Sequence, residues 1–448
     1  MKYEDFKAAV IAAAQSEGLT DYELYYVSDE STSVDTFGHE VKSFTDATSG
    51  GACFRCIAGG KMGYASTEQL SEETARAVVL RAKENAAVLE TEEEVFLSEG
   101  GKTYADVRRK AYPLPTPEKL IETVLAGQKA IYAADSAVID GSETGAETFR
   151  HSVAIYNSRG LDVKSDHSGA VYYTVAVVSD GNEMNDSYEI KIGSFDELDI
   201  PAAAAKAAAD AKSKLGAGVA PTGNYPVIFA PKAMADLLTT FSGVFSAENA
   251  RKGFSRLMGK EGETIAAPCV TLTDDPFYAD APMPMAFDAE GSPTFTKDLV
   301  ENGVLKTLLH NLKSAAAMGK TTTGNAAKRG YNGAVEIRPF TLFLAPGDLT
   351  EEELLARAGN GVYIDFLGGL HAGANPISGD FSLQSAGYMI ENGKKTRAVR
   401  SFTVAGNFYD LLKQITAVAN NIELRNMGSV TGFAAPAVLV NGLSVAGE

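Results

Sequence analysis

The densest set of potentially reactive side chains lies late in the chain, in Gly368-Gly369-Leu370-His371-Ala372-Gly373-Ala374-Asn375-Pro376-Ile377-Ser378-Gly379-Asp380-Phe381-Ser382. His371, Asn375, Ser378 and Asp380 bring an imidazole, an amide, a hydroxyl and a carboxylate into ten residues. Gly reaches backbone angles closed to other residues, and Pro and Asn favour turns, so the stretch reads as an irregular loop. Loops held on rigid strands are where binding and catalysis concentrate. The same composition also describes a structural loop whose polar side chains satisfy its own backbone. The residues by themselves support both readings.

Other candidates carry less. Cys53-Phe54-Arg55-Cys56 has the C-x-x-C spacing of a redox or zinc pair. It sits in Gly51 to Ala58, which reads as a strand, so the two thiols point to opposite faces. Both are expected in the core, and Cys269 stands apart. His39-Glu40 opens like a zinc-peptidase helix, but positions 43 and 44 are Ser43 and Phe44. No two His lie within five residues, so a paired-His zinc site on one helix face is excluded. A site assembled from distant His and carboxylates stays open. Met318-Gly319-Lys320-Thr321 imitates the end of a phosphate-binding loop. The earlier Gly of that motif is replaced by Ser314, followed by helix-favouring Ala315, Ala316 and Ala317. Gly368 to Gly373 has the glycine spacing but continues into Ala374-Asn375. No nucleophile elbow of the G-x-S-x-G type occurs, although a triad of distant residues remains open.

The chain has 448 residues, with 40 Lys plus Arg against 58 Asp plus Glu, a net charge of −18. Phosphate binding needs clustered cations, so this balance argues against direct contact with nucleic acid or an anionic membrane. Three Cys are too few to staple such a chain, which suggests a reducing compartment. Met1-Lys2-Tyr3-Glu4-Asp5 does not open a signal peptide, and no run approaches the ~20 apolar residues of a membrane span. A cytoplasmic protein is expected.

The elements that must position these residues fall into two textures. Helices are predicted over 3–16, 71–89, from Thr116-Pro117, and over 201–215, with a β-meander from Tyr22 to Ala65 and antiparallel strands over 151–192. Gly216 to Gly223 is the best linker. Beyond it, Asn302-Gly303, Asn392-Gly393 and Asn441-Gly442 each predict a hairpin turn, because both central residues need positive φ. Helices are predicted at 232–241, 350–358 and 407–420, the second opened by the capping box Thr350–Glu353. The expected fold class is α+β in two domains. Residues 1–215 form an N-terminal α/β domain with a mixed, largely antiparallel sheet and helices. Residues 216–223 are a linker, and 224–448 form a C-terminal β-rich domain of hairpins with inserted helices.

Several long motifs resemble the TldD/PmbA family, whose older label is modulator of DNA gyrase. They are Gly369 to Phe381, Gly387-Tyr388-Met389-Ile390-Glu391-Asn392-Gly393 and Val404-Ala405-Gly406-Asn407-Phe408-Tyr409-Asp410-Leu411-Leu412. Gly63-Tyr64-Ala65-Ser66-Thr67, Gly324-Asn325-Ala326-Ala327-Lys328-Arg329 and Ala435 to Gly447 also fit, so nearly the whole chain is covered in order.

The resemblance implies one of two branches. TldD-like members resemble zinc peptidases with an H-E-x-x-x-H motif and a Cys ligand near the carboxyl end. The corresponding stretch here, Leu237 to Ser255, contains Ser246-Ala247-Glu248-Asn249-Ala250 and no His, and no Cys follows Cys269. The chain therefore resembles the TldE, or PmbA, branch. That implies a non-catalytic subunit of a TldD/TldE heterodimer, with no metal in this chain and zinc in the H-E-x-x-x-H partner. The implied substrates are flexible peptides, such as microcin precursors or a labile antitoxin. His371, Asn375, Ser378 and Asp380 are then candidates to line the substrate chamber, and a homodimer is possible in isolation. The alternatives are a stand-alone peptidase with an unconventional site, and a non-proteolytic interaction protein that modulates gyrase indirectly.

Overall fold

The computed structural model describes residues 1–90, 94–107, 113–281, 283–425 and 431–447. The first part runs α1 (Tyr3–Ser16), β1 (Tyr22–Phe37), β2 (Glu40–Ala58), β3 (Lys61–Thr67), α2 (Glu72–Val88), α3 (Pro117–Ala134), β4 (Glu143–Asn157), β5 (Asp162–Ser179), β6 (Met184–Ile192) and α4 (Ile200–Lys212). Capping fixes the helix starts. Ser71 and Thr74 cap α2 reciprocally, and the Thr116 hydroxyl accepts from Lys119 N at 3.3 Å ahead of Pro117. Gly59 and Gly60, at φ 58° and 76°, turn β2 into β3.

The six strands form one sheet in the order β3-β2-β1-β4-β5-β6, with every pairing antiparallel. Strand side chains alternate between faces, and the sheet uses both. Leu24, Phe54 and Cys56 pack under α1 and α2, while Leu120 and Val124 of α3 meet Val34 and Ala146. Tyr25, Val27, Cys53, Val153 and Ile155 face the other way and pack on Met285, Phe287 and Phe340. The Cys53 and Cys56 thiols thus lie on opposite faces, as the strand reading requires.

The second part continues with β7 (Gly223–Phe229), α5 (Pro231–Phe241), α6 (Ala247–Arg251), β8 (Leu272–Asp274), β9 (Lys297–Glu301), β10 (Val304–Leu305), α7 (Leu312–Ala317), β11 (Ala326–Ala327), β12 (Glu336–Ile337) and β13 (Thr341–Leu344). Then come α8 (Glu351–Ala358), β14 (Gly361–Gly368), β15 (Asp380–Glu391), β16 (Lys394–Asn407), α9 (Phe408–Gln414), β17 (Ile415–Val418), β18 (Glu423–Arg425), β19 (Gly432–Ala435) and β20 (Val438–Ala446). One sheet has the order β16-β15-β14-β7-β20-β17, and β20 also pairs with β16, so five strands close into a ring. A second sheet has the order β10-β9-β8-β13-β19-β18. The parallel pairings, β7 with β14 and β13 with β19, occur in these sheets. Phe229, Leu237, Phe241 and Phe408 are fully buried in the main core there. The fold is α+β, as expected.

Two local expectations are corrected. Asn302-Gly303 and Asn392-Gly393 do turn hairpins, with φ of 49° and 83°, and 53° and 74°. Asn441-Gly442 instead lies inside β20, where the register against β7 slips between Val440 and Leu443 and Gly442 has φ 78°. This bulge bends the strand, so its first half pairs with β17 and its end reaches β16. The helix predicted over 407–420 stops at Gln414. Ile415-Thr416-Ala417-Val418 is rich in β-branched residues and pairs with β20. The stretch expected as a linker runs against β16, with Gly218 N donating to Ala398 O at 3.0 Å and Arg400 N to Gly218 O at 3.1 Å. Among the described residues, no helix is long and apolar enough to cross a membrane.

Candidate functional site

The loop between β14 and β15 is built largely from its own polar groups. The Asn375 side-chain oxygen accepts from Ile377 N at 3.0 Å and Ser378 N at 3.2 Å. Its backbone N donates to Asp380 O at 2.8 Å, and Gly379 N returns to Asn375 O at 2.8 Å. Ser378 Oγ accepts from Asp380 N at 3.3 Å. Asn407, at the end of β16, then fastens the loop. Its Nδ2 donates to Asp380 Oδ1 at 2.7 Å and to Ser378 O at 2.9 Å, while its Oδ1 caps α9 by accepting from Tyr409 N at 3.1 Å. The Asn407 and Ser378 hydrogen bonds, with Arg256 nearby, hold the Asp380 carboxyl below the usual carboxylate range.

Gly379 is required at its position. Its φ is +82°, and a Cβ there would lie 2.6 Å from the Tyr409 ring. Tyr409 in turn accepts from Arg256 N at 3.1 Å, and the Arg256 guanidinium lies 5.2 Å from the ring centre. The structure therefore joins Asn375, Ser378 and Asp380 in one network and leaves His371 exposed at the loop entrance. Asn407, Tyr409 and Arg256 were not candidates in the sequence, although Asn407 and Tyr409 lie in a motif that carried the resemblance.

The network ends at Arg256, directly after the stretch Leu237 to Ser255 that carries α6. Ser246 Oγ caps α6 by accepting from Asn249 N at 3.3 Å, and Asn249 Nδ2 donates to Gly243 O at 2.9 Å. Both Glu248 oxygens meet Arg251 at 2.9 Å, and Lys252 adds a contact at 3.1 Å. The Arg251 hydrogen bond and Lys252 outweigh burial and hold this carboxyl below its usual range. Zinc needs thiolate, imidazole or carboxylate donors in a fixed count. Among the described residues, no group of three or more His, Cys, Asp or Glu is placed so that it could hold a metal ion. Cys53 and Cys56 are buried, and burial pushes the Cys56 thiol up to about 11. Among the described residues, the donors do not form a set that fits a catalytic zinc.

A cleft of about 720 Å3 opens between the β6–α4 side and the strands β14 to β16, with Leu370 of the loop on its wall. An ion pair joins its sides, Lys214 to Asp365 at 3.1 Å, and Lys232 on its wall reaches Glu189 of β6 at 3.6 Å. Burial alone would raise the Glu189 carboxyl, but Lys206, Lys232 and Lys191 hold it below its usual range. Ser401 on this wall has φ +56°, a conformation that strains a residue with a Cβ.

An antiparallel sheet backed by helices, set against a closed ring of strands and a second mixed sheet, defines a large α+β protein with a polar cleft between its halves. Comparison with known proteins makes this specific. The model for the C-terminal domain of the PmbA/TldA metallopeptidases matches residues 222–447, with domain 1 at 22–86 and the central domain at 111–215. The chain belongs to this PmbA/TldD metallopeptidase family. A metalloprotease PmbA homolog from Haemophilus influenzae is 28% identical over 384 residues, covering 82% of this chain and 80% of that protein. A crystal structure from Thermotoga maritima, described as a candidate modulator of a DNA gyrase, has 32% identity and a TM-score of 0.88, covering 99% of this chain and 100% of that one. TldE from Thermococcus kodakarensis has the same fold, with a TM-score of 0.87 at 23% identity over 98% and 99% of the two chains.

Proposed function

We propose that this chain is the non-catalytic, TldE-like subunit of a two-subunit zinc peptidase that processes or degrades flexible peptides in the cytoplasm. The observation that carries the reading is α6. Where the H-E-x-x-x-H branch would present metal ligands, this chain presents a capping Ser246, a backbone-bonded Asn249 and a Glu248 whose oxygens are held by Arg251 and Lys252. The zinc then belongs to a TldD-like partner, and this chain completes the chamber around it.

Exposed apolar side chains support a partner surface there. Phe254, Met258 and Ile377 are 48%, 49% and 50% exposed, and they flank Arg256 and the loop it is linked to through Tyr409. Large contiguous exposed apolar patches mark interaction sites. In this reading Asn375, Ser378 and Asp380 set the shape of the chamber wall, and exposed His371 faces substrate or partner. Residues 1–215 and 224–448 act as its two units. An effect on gyrase would be indirect, through cleavage of peptides that act on it.

The test is peptide cleavage by the purified chain alone and after co-expression with an H-E-x-x-x-H subunit. Chelator-sensitive cleavage only by the pair is expected. Cleavage by the chain alone, with zinc in elemental analysis, would favour a stand-alone peptidase. Failure to associate with any such subunit would favour the interaction-protein reading.

A further inference from the structure

A second pocket, of about 290 Å3, lies where β1 and β4 face the stretch from Ala326 to Phe340. Val27, Val153, Met285, Phe287 and Phe340 give it an apolar lining. Most charged groups around it already have partners. The buried Asp288 carboxylate accepts from the backbone N of Glu290 and Ser292 at 2.9 Å and of Ala326 at 3.0 Å. His151 Nδ1 and Asp29 Oδ1 are 2.6 Å apart. Arg329 and Arg338 both reach Glu336 Oε1, at 3.1 and 2.7 Å.

Lys328 differs from these. Its ammonium lies 4.3 Å from the centre of the Tyr25 ring and donates to the Tyr331 carbonyl at 3.2 Å. Among the described residues, no carboxylate stands within ion-pair distance of it. A cation withdrawn from water without a counter-ion is costly, and burial does pull this lysine below its usual range. Glu23 and Glu290 act on this lysine only from beyond ion-pair distance, and a pocket with apolar side chains and a cation that lacks a direct ion pair is complementary to a carboxylate on an apolar body. Its volume is at the lower end of small-molecule sites.

We propose that this pocket binds a small monocarboxylate with an apolar body about the size of one hydrophobic amino-acid residue. The carboxylate pairs with Lys328, and the body packs on Val27, Val153 and Phe340. The proposal does not depend on the peptidase reading, because the pocket is built from β1, β4, the 285–340 region and Thr431, and α6 and the β14–β15 loop take no part in its wall.

The test is calorimetric titration of the full chain with N-acetyl-phenylalanine and with its neutral carboxamide. The acid should bind at least about tenfold tighter than the amide, the range of a charge-assisted hydrogen bond. Lys328→Met should abolish the preference and Lys328→Arg should retain it. The wild-type acid–amide comparison decides the matter even where Lys328→Met does not fold. Equal binding of the two probes, or no binding of the acid by about 10 mM, would overturn the proposal.

Discussion

Asn407 Nδ2 lies 2.7 Å from Asp380 Oδ1, while the oxygen of the same amide caps α9. One side chain thus couples the shape of the glycine-rich loop to the start of a helix whose Phe408 is fully buried. It also separates two roles that substitution can test.

Asn407→Ala removes the cap and both Nδ2 bonds, to Asp380 Oδ1 and Ser378 O, and should destabilise the protein by at least about 1 kcal/mol, the usual cost of losing a helix cap. Asn407→Asp keeps an acceptor for the Tyr409 N–H but sets a carboxylate against Asp380. It should keep α9 and release the loop. Hydrogen exchange distinguishes the two: Tyr409 should exchange faster only in Asn407→Ala, and the amides of 377–380 in both. Slow loop exchange in Asn407→Asp would show that the loop holds itself without Asn407.

Much of this was legible in the sequence where the signal is local. The Thr350–Glu353 capping box, the hairpins at Asn302 and Asn392, and the opposite-facing Cys53 and Cys56 depend on neighbours in the chain, and pattern alone places them. Asn441-Gly442 misled because a bulge and a turn both need positive φ, and only the competing partners β17 and β16 decide between them. Ile415 to Val418 likewise became a strand because β20 offers a ladder. The links from Gly379 to Tyr409 and from Tyr409 to Arg256 cross 30 and 153 residues and leave no local trace. The Lys328 pocket escapes for the same reason, since its walls come from distant segments.

Arg55 Nε donates to Glu23 Oε1 at 2.7 Å across the β1–β2 ladder, with the side chains 7% and 2% exposed. Among the described residues, Glu23 Oε2 and Arg55 Nη2 find no partner, so the pair is incompletely satisfied. Arg55→Met should cost about 3–5 kcal/mol by leaving a buried carboxylate alone. The double variant Glu23→Leu with Arg55→Met should recover most of that loss in urea unfolding. A double variant as unstable as the single would mean that the pair is net stabilising.

Glu290 is buried beside Asp288, with its Oε2 accepting from Leu312 N at 2.9 Å. Burial, then the Asp288 charge, push its carboxyl up to about 7. A raised acid contributes stability that is complete below its unfolded value of about 4.3 and is lost as pH climbs through the folded value. Glu290→Gln should therefore gain melting temperature relative to the parent as pH rises from about 5 to about 8. A difference that stays constant across that range would assign the buried charge elsewhere.

Cysteine reactivity tests the sheet itself. Cys53 and Cys56 are buried on opposite faces of β2, and burial raises both thiols, so neither presents a reactive thiolate at neutral pH. Cys269 is exposed, with its sulfur 3.6 Å from the Ile415 carbonyl. A thiol reagent should label Cys269 in the native protein and all three only after unfolding. Cys269→Ser should then show almost no native labelling. Mild oxidation should leave Cys53 and Cys56 unjoined, because their side chains cannot meet while the strand is intact. A Cys53–Cys56 bridge found by mass spectrometry in the folded protein would require β2 to break between Phe54 and Arg55. The buried Arg55–Glu23 pair would then be lost with it.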